Sequence, residues 1–227
     1  DDLQLVQGTE NFEITSVSSD KQLVWCGTMA NGAFSFDYKT NEIINIKRTN
    51  GLSYNQVRSV FVDREQILWV ATAAGLDQYL GGSFTFFDFS KNSTNSLIWD
   101  FKLFDNEVIT ATGDGVFSSS ILGANKALVR ISNLSKAEPR KLLLDSPSNS
   151  TYVVDEEGKL LKYSKGSNAI EEFVNITAFA RCMEKIGSQI WVGTDDGIYV
   201  LENGQIVTHY DQNNGLGGQK VNGIYHL

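Results

Sequence analysis

Proline occurs twice in this 227-residue sequence, cysteine twice and histidine twice. Turns therefore fall mainly to glycine, asparagine and aspartate, and glycine alone occurs 20 times. Cys26 and Cys182 each stand beside strand-like apolar residues, and they read as small buried hydrophobes ahead of a disulfide or a reactive thiol. No CxxC and no Cys/His cluster is present, which argues against structural zinc and leaves no metal or cofactor to assign. His209 and His226 have no Ser or Cys nucleophile motif beside them and no G-x-S-x-G occurs, so no catalytic residue is assigned by nucleophile chemistry. The segment "GLGGQK" lacks both the spacing and the terminal Lys-Ser/Thr of a phosphate loop.

Long apolar runs are missing as well, none reaching the roughly 18 residues that a membrane span needs. The opening "DDLQLVQGTENF" has neither a basic nor an apolar leader region and reads as a mature or trimmed start, which leaves the compartment open. Basic runs are absent and the formal charge is −8, so a nucleic-acid backbone and an anionic membrane surface are both poor partners. What the chain does have is 41% apolar residues, enough for a substantial core.

It also repeats itself. Five copies of one pattern can be laid out: "WCGTMANG" from Trp25, "WVATAAG" from Trp69, "ITATGDG" from Ile109, "YVVDEEG" from Tyr152 and "WVGTDDG" from Trp191. Their first residues lie 44, 40, 43 and 39 positions apart. A lead-in also recurs, "NGLSYNQV" ending at Val57 and "NGLGGQKV" ending at Val221. Each unit holds four short runs rich in Val, Ile, Phe, Tyr and Thr, and none shows a helical period. In the second unit strands are expected near 57–62, 67–72, 75–79 and 84–88.

Four short antiparallel strands in a unit of about 40–45 residues are the pattern of a β-propeller blade. The expected fold is all-β, with full blades at about 13–47, 57–88, 98–131, 140–173 and 179–210 and the first strand of a sixth. Residues 1–227 then form one propeller domain or a fragment of one, with no separate second domain. Rings of about four to eight blades occur, and the sixth lead-in points to a larger, seven-bladed ring.

Within a blade the pattern has a physical reading. The large anchors (Trp25, Trp69, Ile109, Tyr152, Trp191) should fill the space between neighbouring blades. Gly27, Ala71, Ala111 and Gly193, two positions on, are small enough for a bulky neighbour to approach. Thr28, Thr72, Thr112 and Thr194 can bind backbone amides of the next turn, and Asp155 can take that place in the fourth copy. Gly75, Gly115, Gly158 and Gly197 close the turn with positive φ, and in the first copy Gly32 arrives one residue late.

The stretch "NGLSYNQVRSVFVDREQILWVATAAGLDQY" resembles the two-component regulator propeller repeat: a GL-x-x-N-x-V lead-in, a strand, an acidic turn, then WV-x-T-x-x-G-L-x-x-Y. The resemblance is strong over 50–79 and good over 187–227, weaker at 12–36 and 97–119, and weakest at 140–163. It implies a piece of the periplasmic sensor of a hybrid two-component regulator, outside the inner membrane. Such sensors detect oligosaccharides from polysaccharide breakdown and signal, as homodimers, to a downstream kinase. Further blades and domains of a longer parent chain would be its partners, and the segment itself would be non-catalytic.

Propellers bind small ligands at one mouth of the channel, on loops entering the innermost strand. Placing the first strand ten or eleven residues ahead of each anchor equates Arg58, Trp99 and Arg181, with Asn222 in the sixth unit. An aromatic and two guanidiniums suit a neutral or acidic sugar, and Tyr54 and Asn55 in the lead-in could join them. The other reading of the same residues is surface ion pairing for the arginines and packing for Trp99. Asp195–Asp196 and Asp155–Glu156–Glu157 fall in the turn after the second strand, where solvated acids are ordinary, although a glycosidase or a calcium site uses such groups. "FTFFDF" at 84–89 reads as a packed outer strand. Four N-x-S/T sequons, at Asn92, Asn133, Asn149 and Asn175, are what this Asn, Ser and Thr content gives by chance. A protein-interaction scaffold, and behind it a propeller lyase or glycosidase, remain the alternative functions.

Overall fold

The structure, a computed structural model, describes residues 6, 8–20, 22–88, 97–122, 128–131, 138–165 and 169–226. Phe89, Asn92 and Asn133 lie outside them. The described residues form five four-stranded antiparallel sheets, and in each the spatial order of strands follows the chain. The first sheet is β1 (Ile14–Ser19), β2 (Leu23–Thr28), β3 (Ala33–Asp37) and β4 (Ile43–Ile46). The second is β5 (Val57–Val62), β6 (Leu68–Thr72), β7 (Gly75–Leu80) and β8 (Ser83–Asp88). The third is β9 (Ile98–Phe104), β10 (Glu107–Thr112), β11 (Gly115–Ser120) and β12 (Leu128–Arg130). The fourth is β13 (Pro139–Asp145), β14 (Ser150–Asp155), β15 (Lys159–Ser164) and β16 (Ala169–Asn175). The last is β17 (Ala180–Ile186), β18 (Gln189–Thr194), β19 (Gly197–Glu202) and β20 (Gln205–Tyr210).

These are propeller blades, and their limits fall within two residues of the spans expected from the repeat. The chain divides into two compact units, Asp1–Ile98 with the first two blades and Trp99–Leu227 with the other three, β9 starting on the boundary residue. Residues 221–226 carry no strand. What the structure gives of a sixth blade is its lead-in, tied to the fifth by Val221 N–H to the Thr194 carbonyl (2.9 Å) and Gly197 N–H to the Gln219 carbonyl (2.7 Å).

Four of the five blades share one turn chemistry. Thr28, Thr72, Thr112 and Thr194 are fully buried at the end of the second strand. Each hydroxyl donates to the carbonyl of the closing glycine, Gly32, Gly75, Gly115 or Gly197, at 2.7–3.0 Å. It also accepts a turn amide, from Asn31, Ala74, Asp114 or Asp196. Asp155 has no hydrogen to donate, and instead accepts from the amides of Glu157 and Lys159. The closing glycines all have positive φ, from 77° at Gly32 to 153° at Gly75, a region that L side chains avoid.

Packing follows the anchors. Trp69 is fully buried and its Nε1–H donates to Asp63 Oδ2 at 2.8 Å, in the acidic turn between β5 and β6. Trp25 packs in the first unit with Leu52, Val57 and Val70, and Tyr152 packs in the second with Ile176, Ile190 and Leu201. The small residues meet the lead-in valine of the following blade. A Cβ on Gly27 would lie 2.6 Å from Val57 Cγ1, and one on Gly193 would lie 2.8 Å from Val221 Cγ1. Lead-in and anchor motif are therefore two halves of one contact. Cys26 and Cys182 are half-buried free thiols, and burial pushes both up from the ordinary thiol range.

Candidate functional site

Arg58, Arg181 and the residues equivalent to them stand at a bulge. The register of first and second strands slips between Ile14 and Ser16, Val57 and Ser59, Pro139 and Lys141, and Ala180 and Cys182. The extra residue is Thr15, Arg58, Arg140 or Arg181, and Trp99 follows Ile98 at the same place in the third blade. A bulge re-aims one side chain without moving the rest of the strand to the other face. The sequence reading found three of these positions and missed Arg140, which stands twelve residues before its anchor instead of ten or eleven.

In the second unit these side chains engage one another. The Arg140 guanidinium lies 3.9 Å from the centre of the Trp99 ring. It also pairs with Glu156 in its own blade's turn and, at 3.7 Å, with Glu138. Glu138 and Glu156 are hydrogen-bonded, which lifts Glu138 above the ordinary carboxylate range; that bond and Arg140 hold Glu156 below it. Arg181 repeats the arrangement, pairing with Asp195 in its turn and reaching Asn222 Oδ1 at 3.4 Å. The Arg181 guanidinium holds Asp195 low. Trp99 packs besides against the cluster of Ile109, Ala111 and Leu142. Asp195 and Glu156 are thus paired with arginines, and Asp155 holds turn amides. Among the described residues no group of three His, Cys, Asp or Glu side chains could hold a metal. His209 stacks on Tyr199, with centroids 4.0 Å apart, and one ring nitrogen meets the Asp196 carbonyl.

In the first unit the lead-in builds a groove. Tyr54, Asn55 and Gln56 line it together with Arg48, Met29 and Ala30, around a volume of about 430 Å³. That size lies within the range of about 300–1,000 Å³ typical of small-molecule sites. Tyr54 is 44% exposed, so its ring is available at the surface. Asn55 Oδ1 accepts from Arg48 N–H at 2.8 Å, which leaves the Asn55 NH2 as the group it can offer a ligand. Gln56 Nε2 rests 3.2 Å from the Met29 sulfur, and the Asn55 carbonyl accepts from Gly32 N–H at 2.9 Å. The groove joins an aromatic face, a guanidinium and two amides, the set that sugar hydroxyls and carboxylates recognise. Sequence reading named Tyr54 and Asn55 and missed Arg48, Gln56 and Met29, which come together only when the lead-in folds back on the β2–β3 turn.

Comparison with known proteins fits this architecture. Solved structures of similar fold include the extracellular domain of a protein assigned as a one-component system of B. thetaiotaomicron. The identity is 20% and the TM-score 0.80, over 98% of this chain and 32% of that one. A second is the extracellular domain assigned to a hybrid two-component system of the same organism, with 16% identity and a TM-score of 0.77, over 96% of this chain and 32% of that one. The chain thus spans about a third of the length of either. Virginiamycin B lyase from Staphylococcus aureus shares the fold at 13% identity and a TM-score of 0.76, over 94% of this chain and 74% of that one. No curated protein matches the sequence. Residues 51–74, from the lead-in through the Trp69 anchor to the turn, match the two-component regulator propeller family, and this chain carries that family's repeat.

Proposed function

We propose that this chain is a non-catalytic, ligand-binding part of an extracytoplasmic sensor, and that its ligand is an oligosaccharide released from a polysaccharide. The observation that carries the reading is the groove, because Tyr54, Asn55 and Gln56 belong to the repeat that matches the regulator family. A ring open to one side stacks on the apolar face of a pyranose, while Asn55, Gln56 and Arg48 bond its hydroxyls or a uronic carboxylate. The extracellular domains among its structural relatives support a place outside the cytoplasm, here taken as the periplasm. In the parent receptor, further blades and a dimer would carry the signal to a kinase. Binding can move such a receptor only by the difference in ligand affinity between its two arrangements.

Isothermal titration with neutral and acidic glycan oligomers tests the reading. Binding by at least one oligomer is expected, weakened at least tenfold in Tyr54→Ala, which is about 1.4 kcal/mol. A folded protein silent across the whole panel sinks the proposal.

A further inference from the structure

The two units of the chain treat their arginines differently. In the second unit each turn between a blade's second and third strands carries acid: Asp114 in the third blade, Glu156 and Glu157 in the fourth, Asp195 and Asp196 in the fifth. Those turns take up the arginines beside them. Arg140 pairs with Glu156, Arg181 pairs with Asp195, and Arg130 donates to the Asp114 carbonyl. In the first unit the same turns run through Met29, Ala30 and Asn31 and through Ala73 and Ala74, with no acid in either.

Arg48 lines the groove beside the first of these acid-free turns and is exposed. Its guanidinium makes no hydrogen bond or ion pair with any described residue, and the bond to Asn55 Oδ1 comes from its backbone N–H. Met29, Ala30, Tyr54, Asn55 and Gln56 complete the lining, which therefore holds a full positive charge and no carboxylate. Two carboxylates come near through neighbouring residues, and neither lines the groove. Asp77, bonded to Ser53 Oγ, is fully buried in β7, and burial lifts its carboxyl to about 6. Glu13 meets the turn through its backbone carbonyl, which accepts from Met29 N–H at 3.0 Å. A guanidinium stays charged at any working pH, and its planar fork of N–H groups fits a carboxylate. The chain as a whole carries −8, so the positive sign here is set by the groove's own residues.

We infer that the groove selects a carboxylate-bearing sugar: Arg48 takes the carboxylate of a uronic acid in its fork, while Tyr54 stacks on the ring and Asn55 and Gln56 bond its hydroxyls. Arg48 is then the specificity-determining residue. A neutral oligomer of the same stereochemistry binds more weakly, because it leaves the guanidinium with water alone. The inference rests on the groove being the oligosaccharide site and narrows that reading to one class of sugar. A hydrogen bond between two charged groups is about twice as strong as a neutral one, which puts the preference at about tenfold or somewhat more at an exposed, partly screened site.

Calorimetry on the whole chain with matched pairs of oligomers tests this. Each pair is a short oligomer of galacturonate, glucuronate or mannuronate and the same oligomer with its carboxyls methyl-esterified, which removes the charge and keeps the rings. At least one acidic oligomer should bind about tenfold or more tightly than its ester. In Arg48→Gln that oligomer should fall to the affinity of the ester, while the ester's own affinity holds. The bond to Asn55 comes from the backbone, so the variant keeps it. Arg64→Gln, in the acidic turn between β5 and β6 and outside the groove, removes the same charge and should leave the preference intact. An ester that binds as well as its acid, a preference that survives Arg48→Gln, or one that Arg64→Gln also abolishes overturns the inference. Binding of neutral oligomers alone, lost in Tyr54→Ala, removes the carboxylate and leaves the broader oligosaccharide reading standing. Silence to every acidic and neutral oligomer removes both.

Discussion

Val57 covers Gly27 so closely that a single added Cβ would sit 2.6 Å from its Cγ1. Gly27→Ala should therefore cost about 1–3 kcal/mol, the usual penalty of overpacking a filled core. Val57→Ala opens space at the same point, so the double variant should be less destabilised than the two singles sum to. Urea unfolding of the four proteins of this cycle measures the coupling; strict additivity would falsify the contact as described.

The closing glycines give a second test with an internal control. Gly197 has φ 96° and an added Cβ would lie 2.0 Å from the Tyr210 carbonyl, whereas Gly187 has φ 62° and nothing within 4 Å. Both positions strain an alanine backbone, by about 1–3 kcal/mol, but only Gly197→Ala adds a clash with main chain. Its melting temperature should fall well below that of Gly187→Ala.

Asp77 predicts an unusual pH profile for stability. Its carboxyl is raised in the folded state from 3.8 to about 6, so between those values the native protein binds more protons than the unfolded chain. Stability from this group is full below about pH 4, falls as pH rises through about 6, and is then lost, for a total of roughly 3 kcal/mol. Asp77→Asn removes the titration. The difference in unfolding free energy between parent and variant, followed from acid to neutral pH, should show this fall; a flat difference refutes it.

Arg140 stacks on Trp99 and is only 12% exposed along its side chain. Arg140→Lys keeps the charge but loses the planar face and the fork, and should cost about 1–2 kcal/mol. Trp99 emission should shift red as water reaches the ring. Unchanged emission and melting would show that the stack contributes nothing.

The blades were legible because the chain repeats the packing and turn residues that every blade needs. Trp69, Thr72 and Gly75 act through their own blade and its neighbour, so their spacing survives in sequence. The candidate site was legible only in part. Tyr54 and Asn55 could be named from the lead-in, but Arg48 stands in the short turn between β4 and the lead-in, and no motif marks it. Arg140 escaped because its blade has lost the anchor tryptophan and the turn threonine, so the count backward slipped by one residue. A period-two reading also cannot foresee a bulge, and the bulge decides where Arg58, Arg140 and Arg181 stand.

One joint between blades has a wider consequence. Just past the bulge, Ser16 Oγ accepts from the backbone N–H of Val60 at 3.1 Å, and Asp100 Oδ2 accepts from that of Leu142 at 2.9 Å. In both cases a side chain of one blade grips the main chain of the next, at equivalent places in the two strands. Such a grip asks nothing of the neighbour's side chain, because every residue but proline offers the same amide. At these two seams the grip would outlast a change of side chain at Val60 or Leu142, whereas the fit of Val57 over Gly27 would not.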